Sequence, residues 1–591
     1  MASVALLGLS SCSDFLDKPS DTRVTLTNTE QLRMLMTSAY PEYSYVPFCE
    51  LSTDNFVDNN SPSIEGYRYN LNSYNRNDDE TFAFEDIRSS SGTDTPSGSW
   101  EGYYAAIATC NAVLEKVEEF EAEGENSAKL QAVKGEALVD RAYCHFMLAN
   151  IFCMPYRGPE LSKQLPGIPY TTKPETTVKP HYERGTLAET YDKIEADLEA
   201  GLPLIDDAFY EMPKYHFNKQ AAYTFASRFY LFKRDYPKVI ECANIVFGGP
   251  DTNPLPYMTD IWAHAADFEG SDEFNRYYAS TTHMRNFMII PTYSSYVRHL
   301  YSGNRYACNR DGMRCTMRGP GPTWEACKYQ GTPSFSMLPC FNGCGNYLAG
   351  NSSDYGLWWA PAVGEQFEYT DKVAGIGYAH QVLTEFTGEE ALFNRAEAKL
   401  FMGDIDGCLA DLAVWDEAHR NIPDTYAMID WSKDAVQKFY TKAEEKFIRN
   451  SRPERRDILG TKLLDSIYFG IAKPLNIDIV CPSAQYHNSP EINPYLQCIQ
   501  HFRRIEFVFR GMRWFDIKRL GISYSHVIGK DSRVVTLNPD IANGVLDPRL
   551  ALQIPNEIIA AGIDPNDRIT PTMSTPMMGL KKAVLAVPSN E

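Results

Sequence analysis

Residues 231–243, LFKRDYPKVIECA, and residues 400–412, LFMGDIDGCLADL, carry one pattern twice. Leu231, Arg234, Asp235, Tyr236, Val239 and Ala243 fall at the same relative spacing as Leu400, Gly403, Asp404, Ile405, Cys408 and Leu412. In each copy a helix runs into a tight turn around Asp, and a second helix turns small or apolar residues back onto the first. Such a hairpin cannot cover its own apolar face, so it must stack on others. The repeat predicts a mainly α fold of tetratricopeptide-like helical hairpins, an α-α superhelix in which the flanking helices share one core.

Outward from the repeat, periodicity predicts a helix over 99–120, where Trp100, Tyr104, Ile107, Asn111 and Leu114 recur at three and four residues. A second is predicted over 128–152, with Val133, Ala137, Arg141, Phe146 and Leu148 on its face and Pro155 and Pro166 beyond its end. A third, over 187–202, is stopped by Pro203. Between about 247 and 378 the pattern dissolves into Gly, Pro, Asn, Ser and aromatic residues, and a similar aromatic stretch lies between Tyr40 and Phe84. Long irregular segments held on a regular scaffold are where function concentrates, so ligand contacts are expected in these two regions.

The 591 residues include 36 Tyr, 30 Phe and 8 Trp, an aromatic surplus suited to wet binding surfaces as well as to a core. The net charge of -21 repels nucleic acid and anionic lipid heads and favours neutral or cationic partners. No apolar run reaches the length of a membrane-spanning helix. The apolar run at residues 2–9 ends in Leu9-Ser10-Ser11-Cys12 and then turns polar, which reads as a lipoprotein signal with Cys12 as the acylated residue. No basic residue precedes Cys12, so the reading places the start of the signal upstream of Met1.

Common catalytic signatures are absent: neither H-E-x-x-H, G-x-S-x-G, a phosphate-binding P-loop nor G-x-G-x-x-G occurs. Glycoside hydrolysis stays open at this point, because its paired carboxylates leave no fixed spacing. Of the 14 cysteines, Cys110, Cys144, Cys242 and Cys408 sit on helical core faces as small hydrophobes. Cys308, Cys315, Cys327, Cys340 and Cys344 crowd a loop-rich stretch where an exported chain can form disulfides; their spacings do not match zinc knuckles and their pairing stays open. Asp404-Ile405-Asp406-Gly407 has the start of a calcium loop without its later ligands and reads as a plain helical turn. No cofactor or metal site is expected.

Several segments, in order along nearly the whole chain, resemble the SusD/RagB family of Bacteroidetes outer-membrane lipoproteins. They are Phe15-Leu16-Asp17, Leu51-Ser52-Thr53-Asp54-Asn55, Trp100 with Tyr104, Ile107 and Asn111, Gly135-Glu136-Ala137 with Arg141-Ala142-Tyr143 and Pro155-Tyr156, and Ala396-Glu397-Ala398 before Gly403-Asp404. The sharpest is the run from Arg504 through Glu506, Arg510, Gly511, Trp514 and Asp516 to Arg519, followed by Ile554-Pro555-Asn556-Glu557; Arg510 stands where the family usually has Glu. Arg141 and Glu136, or Arg513 and Asp516 around Trp514, are suited to buried paired charges that lock helices together, not to solvent-facing chemistry.

The resemblance implies four tetratricopeptide-like hairpins, a capping irregular region, no enzymatic activity, and a lid-like role over a SusC-like TonB-dependent transporter at the outer membrane, facing outward. It divides the chain into a partial signal (1–12), a tether (13–25), an N-terminal helical part (26–246), an irregular aromatic ligand-binding region (247–380) and a C-terminal part on the same core (381–591). The ligand is expected to be an oligosaccharide; a peptide, or a glycan-processing hydrolase activity, is the alternative. Flat aromatic rings stack on the C–H face of a sugar while amides and guanidinium groups meet its hydroxyls. On that basis Tyr67, Tyr69, Tyr74, Trp324, Trp358 and Trp359 are the stacking candidates, and Arg68, Asn70 and Asn346 the polar ones.

Overall fold

In the computed structural model the described residues are 26–62, 70–73, 75–87, 92–175, 182–258, 271–296, 304–308, 321–323, 364–419, 431–441 and 471–568. Helix α1 (Thr29–Met36) opens them, capped by Asn28, whose side chain accepts from the Gln31 amide. The three predicted helices form as α2 (Pro96–Ala122), α3 (Ala128–Phe152) and α4 (Leu187–Gly201). Thr95, Ser127 and Thr186 cap their N-termini, the last in a reciprocal capping box with Glu189.

Helices α5 (Lys219–Lys233) and α6 (Tyr236–Phe247) form one hairpin, and α7 (Gly388–Phe401) and α8 (Ile405–His419) form the other. The equivalence read from sequence extends to the backbone. Arg234 and Gly403 occupy matching turn positions and both are left-handed, with φ of 68° and 85°. Gly403 adopts this freely, whereas Arg234 is held there by donating from Nη1 to the Ile477 carbonyl and from Nη2 to the Arg519 carbonyl, at 3.1 and 3.2 Å. Asp404 accepts from the Gly407 amide at 2.8 Å, so it is a helix-starting turn, as expected. The hairpins stack through their repeated residues: the rings of Tyr236 and Phe401 lie parallel, 4.7 Å apart.

One hydrophobic cluster runs from Tyr45 to Ile563. It takes in α9 (Lys433–Thr441), α10 (Asn493–Glu506) and α11 (Met512–Leu520), and the chain closes around it with a two-stranded hairpin, Tyr524–Ile528 and Arg533–Leu537.

Residues between 247 and 378 were expected to lack regular structure, and here the structure corrects the reading. Strand β1 (Asn286–Tyr293), β2 (Gln366–Asp371) and β3 (Ile376–Thr387) form an antiparallel sheet in the order β1-β3-β2, and β3 passes directly into α7. Burial explains the missing signal: the first five residues of β1 and the last five of β3 are all buried, so neither alternates.

Buried arginines bind these layers together. Arg228 on α5 bridges Glu385 of β3 and Glu390 of α7 at 2.7 and 2.5 Å, with all three side chains nearly sealed from solvent. Arg141 meets Asp197 of α4 at 2.7 Å, Arg513 meets Asp54 at 2.9 Å, and Asp516 is shared by Arg503 and Arg519. Arg141, Arg513 and Asp516 are therefore paired and buried, whereas Glu136 takes a tyrosine hydroxyl and a histidine in place of a guanidinium. Arg510 donates to the Thr384 carbonyl. Lys518, also buried, reaches back to the end of α3, donating to the carbonyls of Asn150 and Cys153, the latter at 2.8 Å.

Candidate ligand-binding cleft

A cleft of about 540 Å³, within the usual range of ligand sites, opens between the end of α1, the segment 211–216 and the β1-β3-β2 sheet. Its floor is built from Tyr40. The Tyr40 hydroxyl donates to Glu136 of α3 at 2.7 Å and accepts from the Phe217 amide at 2.8 Å. His216 meets the same Glu136 oxygen through Nδ1 at 2.7 Å. Burial, and then the charge of Glu136, drives the Tyr40 hydroxyl well above its ordinary pKa, so this phenol stays a donor.

The sheet supplies the wall. Cross-strand pairing puts Tyr293 opposite His380, His380 opposite Gln366, and Tyr378 opposite Glu368, so these residues share one face. The Tyr293 amide donates to the Glu42 carbonyl at 2.7 Å, and Tyr43 bridges to Tyr293, which adds the N-terminal segment to the sheet edge. Three rings meet there: Tyr43 to Tyr293 at 6.1 Å between centroids and Tyr293 to Tyr378 at 5.6 Å. On the opposite face Phe367 and Tyr369 lie 4.8 Å apart. Tyr378, on the cleft side of the sheet, is 56% exposed, which leaves its ring open to a ligand.

The rim is acidic. Glu42, Glu211 and Glu368 border the cleft, and the one guanidinium that lines it among the described residues, Arg33, is engaged by Glu30 at 2.6 Å and by Glu211 at 3.4 Å. Among the described residues the carboxyl groups with raised pKa do not line the cleft: burial pushes Glu50 and Glu506 each up to about 7, Asp207 upward, and Asp140 well above its usual range. The arrangement at the cleft is suited to stacking and hydrogen bonding.

Among the described residues one trio brings three metal-ligand atoms together: Glu389, His419 and Glu506, all buried. Arg285 already lies between the two carboxylates, at 2.7 Å from Glu389 and 2.8 Å from Glu506, and supplies the positive charge that an ion would bring.

Most residues named from the sequence as ligand contacts fall outside the described residues: Tyr67, Arg68, Tyr69, Tyr74, Trp324, Asn346, Trp358 and Trp359, as does Cys12. Asn70 is described and exposed, next to Leu71, whose backbone exchanges hydrogen bonds with Asn60; it does not line the cleft. Cys308 is buried, and Cys315, Cys327, Cys340 and Cys344 lie outside the described residues. The cleft-lining tyrosines Tyr40, Tyr215 and Tyr293, and Tyr43 and Tyr378 whose rings meet Tyr293, were missed individually; all but Tyr215 fall in or at the edges of the two aromatic-rich stretches marked for function.

Comparison with known proteins adds three findings. Residues 14–231 match a family model of SusD-like proteins described as starch-binding and associating with the outer membrane. A SusD superfamily protein from Bacteroides thetaiotaomicron VPI-5482 has a similar fold, with a TM-score of 0.55 and 15% identity over 92% of this chain and 100% of its own. Another SusD superfamily protein, from Bacteroides vulgatus ATCC 8482, aligns with a TM-score of 0.53 and 12% identity over the same 92% and 100%. No functionally curated protein matches the sequence. Among the described residues no helix is long and apolar enough to cross a membrane.

Proposed function

We propose that this chain, which matches a SusD-like family model over residues 14–231 and has the fold of SusD superfamily structures, is a cell-surface lipoprotein that captures an oligosaccharide and passes it to a TonB-dependent outer-membrane transporter. The observation that carries this reading is the tyrosine platform at the mouth of the cleft. Open phenol rings beside carboxylates, a histidine and backbone groups match what a pyranose presents, an apolar ring face with a hydroxyl rim. The family model's description as starch-binding points the same way. Acylation at Cys12 is the proposed anchor, leaving the cleft outside the membrane.

Binding without turnover follows from this assignment. The cleft pairs aromatic rings with rim carboxylates, while the carboxyl groups poised to carry a proton near neutral pH sit under the core. Tyr67, Arg68, Tyr69, Asn70, Tyr74, Trp324, Asn346, Trp358 and Trp359 are proposed as further contacts that extend the ligand surface beyond the cleft.

Calorimetry on the chain from residue 13 onward, titrated with a panel of neutral oligosaccharides, tests the reading. At least one glycan is expected to bind, with no new reducing ends on prolonged incubation. The double substitution Tyr293→Ala and Tyr378→Ala should weaken it by about tenfold or more, or ~1.4 kcal/mol. Unchanged affinity would remove the cleft as the site. Copurification with a co-expressed TonB-dependent channel tests the partner, and an uncomplexed protein would count against it.

A further inference from the structure

The charge around the tyrosine platform is one-sided. Among the described residues three carboxylates line the cleft against one guanidinium and two imidazoles, His216 and His380, and that guanidinium is committed to Glu30 and Glu211. Two of the carboxylates, Glu42 and Glu368, stand beside the rings: Glu42 precedes Tyr43 in the chain and binds the Tyr293 amide through its carbonyl, and Glu368 is paired across the strands with Tyr378. Their fields reach the phenols. The hydroxyl of Tyr43 is raised from its ordinary pKa by burial and then by Glu101 and Glu42, and that of Tyr293 by burial and then by Glu42 and Glu368.

Beneath the floor the sign is the same. Glu136 is fully buried, receives Tyr40 and His216 on one oxygen, and has its other oxygen Oε2 buried with no hydrogen-bond partner. A neutral sugar uses such carboxylates only as hydrogen-bond acceptors and gains nothing from their net charge, and a uronic acid is repelled by it. A cation gains twice, from the electron-rich ring faces and from the carboxylates that flank them.

We infer that the corner formed by Tyr43, Tyr293 and Tyr378 with Glu42 and Glu368 is a subsite for a positively charged group, so that the cleft selects oligosaccharides bearing free amino groups, of the glucosamine type, over neutral and acidic ones. The inference rests on the cleft being the glycan site proposed above. The amine is held over the phenol faces with its hydrogens directed to the carboxylates, while the rest of the sugar stacks as any pyranose would.

The test uses the chain from residue 13 onward at about pH 6, where a sugar amine is protonated. Calorimetry compares a glucosamine hexamer with its fully N-acetylated counterpart, a maltohexaose and a galacturonate hexamer. The glucosamine hexamer is expected to bind at least about tenfold tighter than the acetylated one at low salt, with the gap shrinking in about 0.5 M salt, and the galacturonate not at all. The double substitution Glu42→Gln and Glu368→Gln should bring the free-amine and acetylated hexamers to within about twofold of each other in affinity.

Equal affinity for the free-amine and acetylated hexamers overturns the inference; if neutral binding is still lost in the Tyr293→Ala and Tyr378→Ala chain, the cleft itself stands. Glucosamine binding that survives the tyrosine substitutions overturns it too, since attraction to the chain's overall negative charge would then be the cause. Failure of every glycan to bind overturns both the subsite and the cleft.

Discussion

Lys518 is a cation buried without a carboxylate beside it, and its replacement by Met gives a prediction with a definite sign. The ammonium lies 3% exposed on α11 and donates to the carbonyls of Asn150 and Cys153, which the end of α3 leaves without helical partners. Burial drives its pKa down from 10.5 to about 7. Above about pH 7 the folded chain therefore gives up a proton that the unfolded chain keeps until about 10.5, and stability must rise with pH across that window. Between pH 7 and 9 the gain from this one group is about 2 kcal/mol, allowing for half-titration at the start and 1.36 kcal/mol per pH unit beyond it. Lys518→Met removes the titration and leaves two helix-end carbonyls unpaired, a cost of about 1–3 kcal/mol each at most. Urea unfolding of both chains, followed by far-UV circular dichroism at pH 7, 8 and 9 and compared near the transition midpoints, reads the difference directly. Burial holds the neighbouring thiols of Cys49 and Cys153 above their ordinary value, and losing Lys518, which lowers both, moves them further up. Parallel stability profiles from pH 7 to 9 would refute the reasoning, because Lys518 would then keep an ordinary pKa.

Arg228→Met leaves Glu385 and Glu390 facing each other without their shared cation; a loss of about 3–5 kcal/mol is expected in the same unfolding assay, and a loss under about 1 would show the pair to be protonated or rehydrated instead. Gly511→Ala should cost about 2–4 kcal/mol, since φ is +71° there and the added carbon would lie 3.1–3.2 Å from atoms of Tyr45, Val46 and Cys49; thermal unfolding unchanged from the parent would show that the short helix Val46–Leu51 can move away.

The sequence showed helices where an apolar period is sustained over several turns. Ser127, the apolar face and the terminal prolines bound α3 at the residues predicted, and the Asp-centred turns marked both hairpins because the second helix starts on an Asp side chain. The sheet left no such trace. The residues of β1 and β3 that pair lie about 90 positions apart, and burial on both faces erased the alternation that reveals a strand. The cleft was legible as a pair of aromatic-rich regions but not as residues. What brings Tyr43 to Tyr293 is a backbone bond between Tyr293 and Glu42, and backbone pairing over that distance has no side-chain signature. The motif around Arg504 and Arg519 was the clearest in the chain, and its chemistry serves the core: Arg504, Arg513 and Asp516 all spend their charge on buried partners.

The reach of those arginines bears on where the chain can be cut. The family match ends at residue 231, which makes that point look like a natural boundary. Yet Asp54 is held by Arg513, Asn55 by Arg504, and Arg228 by Glu385 and Glu390, all supplied from beyond it. A fragment stopping at 231 would carry Arg228 and Asp54 stripped of their counter-charges and a raw apolar surface where α7 and α11 belong. The family model matches only the first part, but the charges buried there are answered by groups from the last.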